Sequence, residues 1–323
     1  MDNQSMRNHT LLNRRDALRS SLIGTAGVAL SGNLLGKSMA DPILHTNIDA
    51  HSHIWTTDLE NYPLAQGQTV DDLKPASFTP EALLELARAN QVGRVVLIQH
   101  QPYHGFDNSY VIDSAAKYPN EFRIVGQIDD RKPEPDALMR ELLSQRVTGF
   151  RVTSMVYGAE TWLDGPGMAA MWKCGAETRQ AMCCLIGPED MAGVDKMCHK
   201  YPETPVVIDH FARVGMDGTI RDADIKQLCN LARHANTYCK VSAFYALGKK
   251  QPPYLDLGPM IRRLYDTFGP ERLMWASDAP YQMDGDNSYQ ASIELVRDKL
   301  DFLTDADRQC LLRKTAEQVF FFV

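Results

Sequence analysis

His51 and His53 stand two residues apart in Ile48-Asp49-Ala50-His51-Ser52-His53-Ile54-Trp55. Alternate residues of a strand share a face, so a strand ending here presents both imidazoles to one point. That is a metal-ligand arrangement, and it is also what two histidines on an ordinary polar strand face would look like. Further on, the same residue types recur at the ends of apolar runs: Arg151 in Val147-Thr-Gly-Phe-Arg-Val, Asp209-His210 after Pro205-Val-Val-Ile, and Ser277-Asp278 after Leu273-Met-Trp-Ala. Hydrolysis of an ester or lactone requires a nucleophilic water, a polarised carbonyl and a proton acceptor. Asp278 is the candidate general base; its other possible role is to cap the turn at Ala279-Pro280. With one divalent ion, zinc or manganese, His51, His53, His210 and Asp278 make a mononuclear site with room for water. With no metal, the imidazoles polarise the carbonyl as hydrogen-bond donors. The sequence leaves both open.

Arg151 carries a planar fork suited to a substrate carboxylate or hydroxyl, or to a salt bridge at the rim of the fold. Tyr103, His104, Asn108 and Tyr245 follow apolar runs and are candidate pocket residues, with loop packing as the alternative for each. Arg213, three residues after His210, adds a second candidate for charge recognition. His45, His199 and His234 lie away from these run ends and read as surface or structural residues.

The elements that must position these side chains alternate regularly. Strands are expected over 46–51, 94–99, 122–128, 147–152, 182–186, 205–209, 238–242 and 273–277. Helical patterns fall between them at 80–90, 109–117, 135–145, 167–181, 189–201, 222–235, 257–268 and 288–300, with a last helix from Asp305. Thr79-Pro80-Glu81 is a helix start: a capping hydroxyl followed by proline in the first turn. Eight such units predict an α/β chain folded as a single-domain (β/α)8 TIM barrel, whose parallel strands are buried on both faces. In that fold the carboxyl ends of the strands meet at one mouth, which would gather the residues named above. A doubly wound sheet should instead offer a glycine-rich phosphate turn after an early strand. The longest insertion, 55–77, is expected to cover the mouth.

Residues 1–40 read differently. Arg14-Arg15 precedes a mild apolar run over 21–35 and the small-x-small end Ser38-Met39-Ala40, the pattern of a twin-arginine export signal. The run is too short and too rich in glycine and serine for a stable membrane span. The expectation is recognition by the twin-arginine export machinery, a periplasmic or otherwise exported location, and a mature domain over 41–323 with no stable membrane insertion. His9 leaves with the signal. The whole chain carries a formal charge of −7, and without residues 1–40 it has 29 basic and 39 acidic residues. Such a balance does not favour nucleic acid or an anionic membrane surface as a partner; the partner expected is the small-molecule substrate of the hydrolytic residues above. Seven cysteines in apolar contexts, without a Cys-x-x-Cys, predict small core residues in place of a disulfide framework.

The ordered set of motifs resembles the amidohydrolase-related family. The run 48–55 with Tyr62-Pro63 resembles its first-strand motif, Val207-Ile208-Asp209-His210 its sixth, and Trp275-Ala276-Ser277-Asp278-Ala279-Pro280 its eighth. The branch resembled is that of lactonases for sugar acids such as L-fuconolactone and for 2-pyrone-4,6-dicarboxylate, and His104-Gly105-Phe106-Asp107-Asn108 is nearest the pyrone lactonases. The chain departs from the metal-rich members: no lysine or glutamate stands near Arg151 to bridge two ions, and the fifth strand offers no histidine. At most one metal is expected, and some relatives work with none. The resemblance implies a lactone or ester hydrolase; a metal-dependent decarboxylase and a degenerate exported binding barrel are the alternatives.

Overall fold

The computed structural model describes residues 46–157 and 162–323, with only the backbone of Val156 and Tyr157. The expected export segment lies outside these residues. Eight strands, β1 (Asn47–Ser52), β2 (Val92–Ile98), β3 (Phe122–Gly126), β4 (Val147–Thr153), β5 (Ala181–Leu185), β6 (Val206–Ile208), β7 (Thr237–Val241) and β8 (Leu273–Trp275), pair in parallel in chain order. The ring closes at the end of β1 and beyond the end of β8. There Ser52 bridges Ala279, the Asp278 N–H donates to the His51 carbonyl at 2.8 Å, and the His53 N–H donates to the Ala279 carbonyl at 2.8 Å. The architecture is the expected single-domain (β/α)8 barrel.

Helices separate the strands because the sequence between them switches from unbroken apolar runs to amphipathic periodicity. In Pro80–Ala89, Thr79 caps the first turn by accepting the Ala82 N–H at 3.3 Å, and Leu83, Leu84 and Ala87 are buried on one face. Along β7, Cys239 and Val241 join the apolar layer under the helices, while Tyr238 belongs to the barrel interior. With a period of two, Lys240 and Ser242 also face inward. Val319 and Phe320, from the helix Thr315–Phe320, pack with Ile48, Val207 and Met274 and plug the end opposite the mouth.

Three strands are shorter than expected: β3 stops at Gly126, β6 at Ile208 and β8 at Trp275. Left-handed backbone follows the last two. His210, Phe211, Ala212 and Arg213 have φ between 51° and 55°, and Asp278 has φ 63°. Ala243, just past β7, has φ 55°. Each non-glycine residue held there costs roughly 1–2 kcal/mol, so the surrounding structure must fix these turns. They cluster at the mouth, where they turn His210 and Asp278 inward. The 55–77 insertion does not line the mouth. It packs beside it, with Trp55 and Phe78 exchanging backbone hydrogen bonds at 3.0 Å and the Ala65 N–H donating to the Tyr103 carbonyl at 2.7 Å.

Candidate active site

His51 and His53 both reach the barrel axis because β1 pairing shifts register between Asp49 and Ser52. Their Nε2 atoms lie 3.3 Å apart, and each is 3.4 Å from Asp278 Oδ1. Zinc bound at about 2.0–2.1 Å by a tetrahedron of ligands holds them about 3.3–3.4 Å apart, so these three atoms match one tetrahedral face. His210 Nε2 stands 3.8 Å from Asp278 Oδ2 and completes the cluster. The His53 Nδ1–H donates to the Ile98 carbonyl at 2.9 Å, which leaves its Nε2 lone pair facing the cluster. His210 Nδ1 is held by Ser242 Oγ at 2.8 Å. The donor types of His51, His210 and Asp278, with His53 beside them, fit one divalent ion, which would take the His51 Nε2 lone pair in place of Arg151.

Asp278 is buried, which by itself would raise its pKa, but His210, His53 and His51 hold it well below the ordinary carboxylate range. The Tyr245 hydroxyl donates to its Oδ2 at 2.8 Å. Capping of the following turn falls to Ser277, whose Oγ accepts the Ala279 N–H at 3.0 Å. Burial pushes His210 down to about 4 and takes His51 far below its usual value, helped by Lys240. At neutral pH Asp278 is therefore ionised while His51 and His210 are neutral.

Beneath the cluster lies a charged layer that the sequence reading overlooked. Lys240 Nζ, fully buried, pairs with Asp209 Oδ1 at 2.9 Å and approaches His51 Nδ1 at 3.2 Å. Arg151 Nη2 reaches Asp209 Oδ2 at 3.2 Å and His51 Nε2 at 2.8 Å. A neutral imidazole accepts at one nitrogen only. Since Lys240 already has Asp209, the Arg151 contact is the hydrogen bond and the His51 proton sits on Nδ1. Burial works against the Asp209 charge, yet Lys240, His51 and Arg151 outweigh it and hold the group far below its usual pKa. The signal was present in Tyr238-Cys239-Lys240-Val241-Ser242, since a lysine inside an apolar barrel strand must find a buried partner. Asp49 is a second missed tie: it accepts from Ser277 N–H at 2.9 Å, His51 N–H at 3.1 Å, Ser52 Oγ at 2.8 Å and Tyr289 Oη at 2.9 Å. These bonds lock the end of β1 to the segment carrying Asp278.

A cavity of about 270 Å³ opens over the cluster. His53, His210, Asp278, Arg151, Arg213 and Tyr245 line it, along with His100, Gln127 and Tyr281, which were not singled out, and the apolar Met155, Leu185, Met216 and Leu247. Arg151 thus forms its salt bridge inside the barrel and still borders the cavity. Arg213 borders it too, donating from Nη1 to Met155 Sδ at 3.4 Å. Three expected pocket residues stand behind the wall, because the short helix Gln101–His104 turns the chain away. Tyr103 donates to the Asp72 carbonyl at 3.0 Å, and His104 Nδ1 faces the Pro63 carbonyl at 3.3 Å. Asn108 clamps the Gln127 backbone, accepting its N–H at 2.8 Å and donating to its carbonyl at 2.9 Å. His199 is exposed, and His234 pairs with Asp195 at 2.8 Å away from the mouth. All seven cysteines are free thiols.

Comparison with known proteins follows the same lines. The chain is 27% identical to the L-fucono-1,5-lactonase of Burkholderia ambifaria over 72% of this chain and 80% of that one. It is 25% identical to the 4-sulfomuconolactone hydrolase of Rhizobium radiobacter over 72% and 75%. An amidohydrolase of Burkholderia multivorans, crystallised with bound zinc, superposes with a TM-score of 0.73 at 22% identity, covering 85% of this chain and 99% of that one. The amidohydrolase family model matches residues 48–322, nearly all of the barrel and every member of the site, and the chain belongs to that family.

Proposed function

We propose that this protein is a lactonase: it hydrolyses the cyclic ester of a small acid. The observation that carries the reading is Asp278, an ionised carboxylate at the cavity floor within 3.4 Å of two imidazole nitrogens. Two curated relatives named as lactone hydrolases support the substrate class. Asp278 accepts a proton from water as that water attacks the carbonyl carbon. Tyr245 fixes the carboxylate by donating to Oδ2. Arg151, held by Asp209, presents a guanidinium edge to the cavity for a substrate carboxylate or hydroxyl. His51, His53, His210 and Asp278 would hold a metal, zinc or manganese, which when bound supplies Lewis acidity to the water or carbonyl. Following proton release from a panel of sugar-acid, aliphatic and aryl lactones, with and without chelator, tests the activity and its metal dependence together. Release from no lactone would refute the reading.

We also propose that the protein is exported by the twin-arginine route, on the strength of Arg14-Arg15, the mild apolar run and Ser38-Met39-Ala40. Changing both arginines to lysine should leave uncleaved precursor in the cytoplasm, seen by fractionation and immunoblotting. Normal processing of that variant would refute this route.

A further inference from the structure

Gln127 stands one residue beyond β3 and lines the cavity, yet it is only 3% exposed. Its Nε2 has no hydrogen-bond partner among the described residues. A buried amide N–H without an acceptor has given up its hydration with nothing in return. The backbone that carries it is, by contrast, held from behind, because Asn108 accepts the Gln127 N–H and donates to the Gln127 carbonyl. Gly126 makes room for that clamp: a Cβ there would stand 2.9 Å from Asn108 Oδ1 and 3.1 Å from Val147 Cγ1. A fixed backbone with an unpaired amide is the reverse of what a structural glutamine requires.

The neighbouring strand supplies a second unpaired donor. Pairing of β3 with β4 sets Gly126 opposite Phe150, which brings Gln127 level with Arg151. Residues level on adjacent parallel strands, about 4.8 Å apart, point to the same face, and both of these border the cavity. Arg151 spends Nη2 on His51 and Asp209, while its buried Nε has no partner among the described residues. Two unpaired N–H donors side by side call for two acceptor atoms, which a carboxylate offers in one plane. Charge agrees with this: Arg213, on the same cavity, is paired with no carboxylate among the described residues and meets only the sulfur of Met155.

Resting on the lactonase reading, we infer that Gln127 is a specificity-determining residue: its amide N–H and Arg151 together grip a carboxylate carried on the lactone ring, separate from the ester that reacts. The attacked carbonyl belongs beside Asp278, past the end of β8, and Gln127 approaches the same cavity from β3. That carboxylate keeps its charge throughout the reaction. Its hydrogen bonds are therefore as strong in the bound substrate as in the transition state, and they act on KM more than on kcat. The fold gains nothing from the Gln127 amide, so removing it leaves stability intact.

Gln127→Met keeps the length of the side chain and removes the amide. Wild type and variant are compared on the γ-lactone of α-hydroxyglutarate and on γ-valerolactone, in which a methyl group stands where the first has its carboxylate. Wild type should prefer the carboxylated lactone. The variant should lose about 10-fold to 100-fold in kcat/KM on it, mainly through KM, and less than about threefold on γ-valerolactone. Its melting temperature should equal or exceed that of wild type, because an unpaired buried donor is gone. No wild-type preference, equal losses on both lactones, or a melting temperature lowered by more than about 2 °C would overturn the assignment. Calorimetric binding of the cyclopentanone carboxylate in which a methylene replaces the ring oxygen, a ring that water cannot open, should weaken about tenfold or more in the variant; unchanged affinity counts against the inference. If wild type binds that ketone through Gln127 but opens no lactone, the lactonase reading falls and the carboxylate site stands. If it opens both lactones and Gln127→Met changes neither, this inference alone falls.

Discussion

Replacing Lys240 by methionine removes one charge from the buried layer while nearly conserving side-chain length, so its effect measures electrostatics and leaves little cavity term. In the native barrel two cations, Lys240 and Arg151, face two carboxylates, Asp209 and Asp278, with Lys240 2.9 Å from Asp209 and both fully buried. Removing one partner of such a pair leaves an uncompensated charge and typically costs about 3–5 kcal/mol. Arg151 at 3.2 Å still screens Asp209, which places the expected loss toward the lower end of that range. For a barrel of this size each kcal/mol moves Tm by about 2 °C, so Lys240→Met should melt roughly 6 °C or more below wild type. The double variant Lys240→Met, Asp209→Asn should recover part of the loss, because the orphaned carboxylate is gone. Differential scanning calorimetry of the three proteins decides the matter. A single variant melting within about 2 °C of wild type, or a double variant less stable than the sum of the singles, would refute the buried-pair reasoning.

Stability should also fall with acid in a defined window. Burial holds His100 down to about 2 and His210 to about 4 in the folded barrel, against about 6.5 in the unfolded chain. The unfolded state therefore binds protons first, and stability declines as pH drops below about 6.5, by about 1.4 kcal/mol per pH unit for each imidazole until about pH 4. Urea unfolding at pH 7.5, 6 and 5 checks this; stability constant or rising toward pH 5 would contradict it. A third prediction concerns Asp49. Asp49→Leu strands five donors, Ser277 Oγ among them, and should cost several kcal/mol, seen as a lower urea midpoint, whereas a change under about 1 kcal/mol would contradict its role in closing the barrel.

The barrel was readable because its strands are short apolar runs and its helices carry start signals such as Thr79-Pro80, so element order survived even where boundaries moved. The histidines and Asp278 were readable because strand ends converge in this fold. What the sequence hid was the layer below them. Lys240, Asp209 and Asp49 act through partners 31 to more than 200 residues away in the chain, such as Asp49 with Ser277, and only closure of the ring brings those partners together. The loop after β2 misled for a related reason: Tyr103, His104 and Asn108 are polar and near a strand end, but the helical turn Gln101–His104 swings them behind the wall. Left-handed backbone at His210 to Arg213 and at Asp278 likewise has no local sequence signal, since none of these positions is glycine.

The central claim is that Asp278 is the base of a lactone hydrolase, and Asp278→Asn tests it most directly. Asparagine tolerates the left-handed φ of 63° and can still accept from Tyr245, so the fold should persist. It lacks the basic carboxylate, whose removal typically costs about 100-fold to 10,000-fold in rate. The measurement is kcat on the lactone identified by the panel, beside melting curves for both proteins. The account predicts matching melting temperatures and a fall in turnover of at least about 100-fold; a variant that melts like wild type and keeps more than about a tenth of its turnover would contradict it.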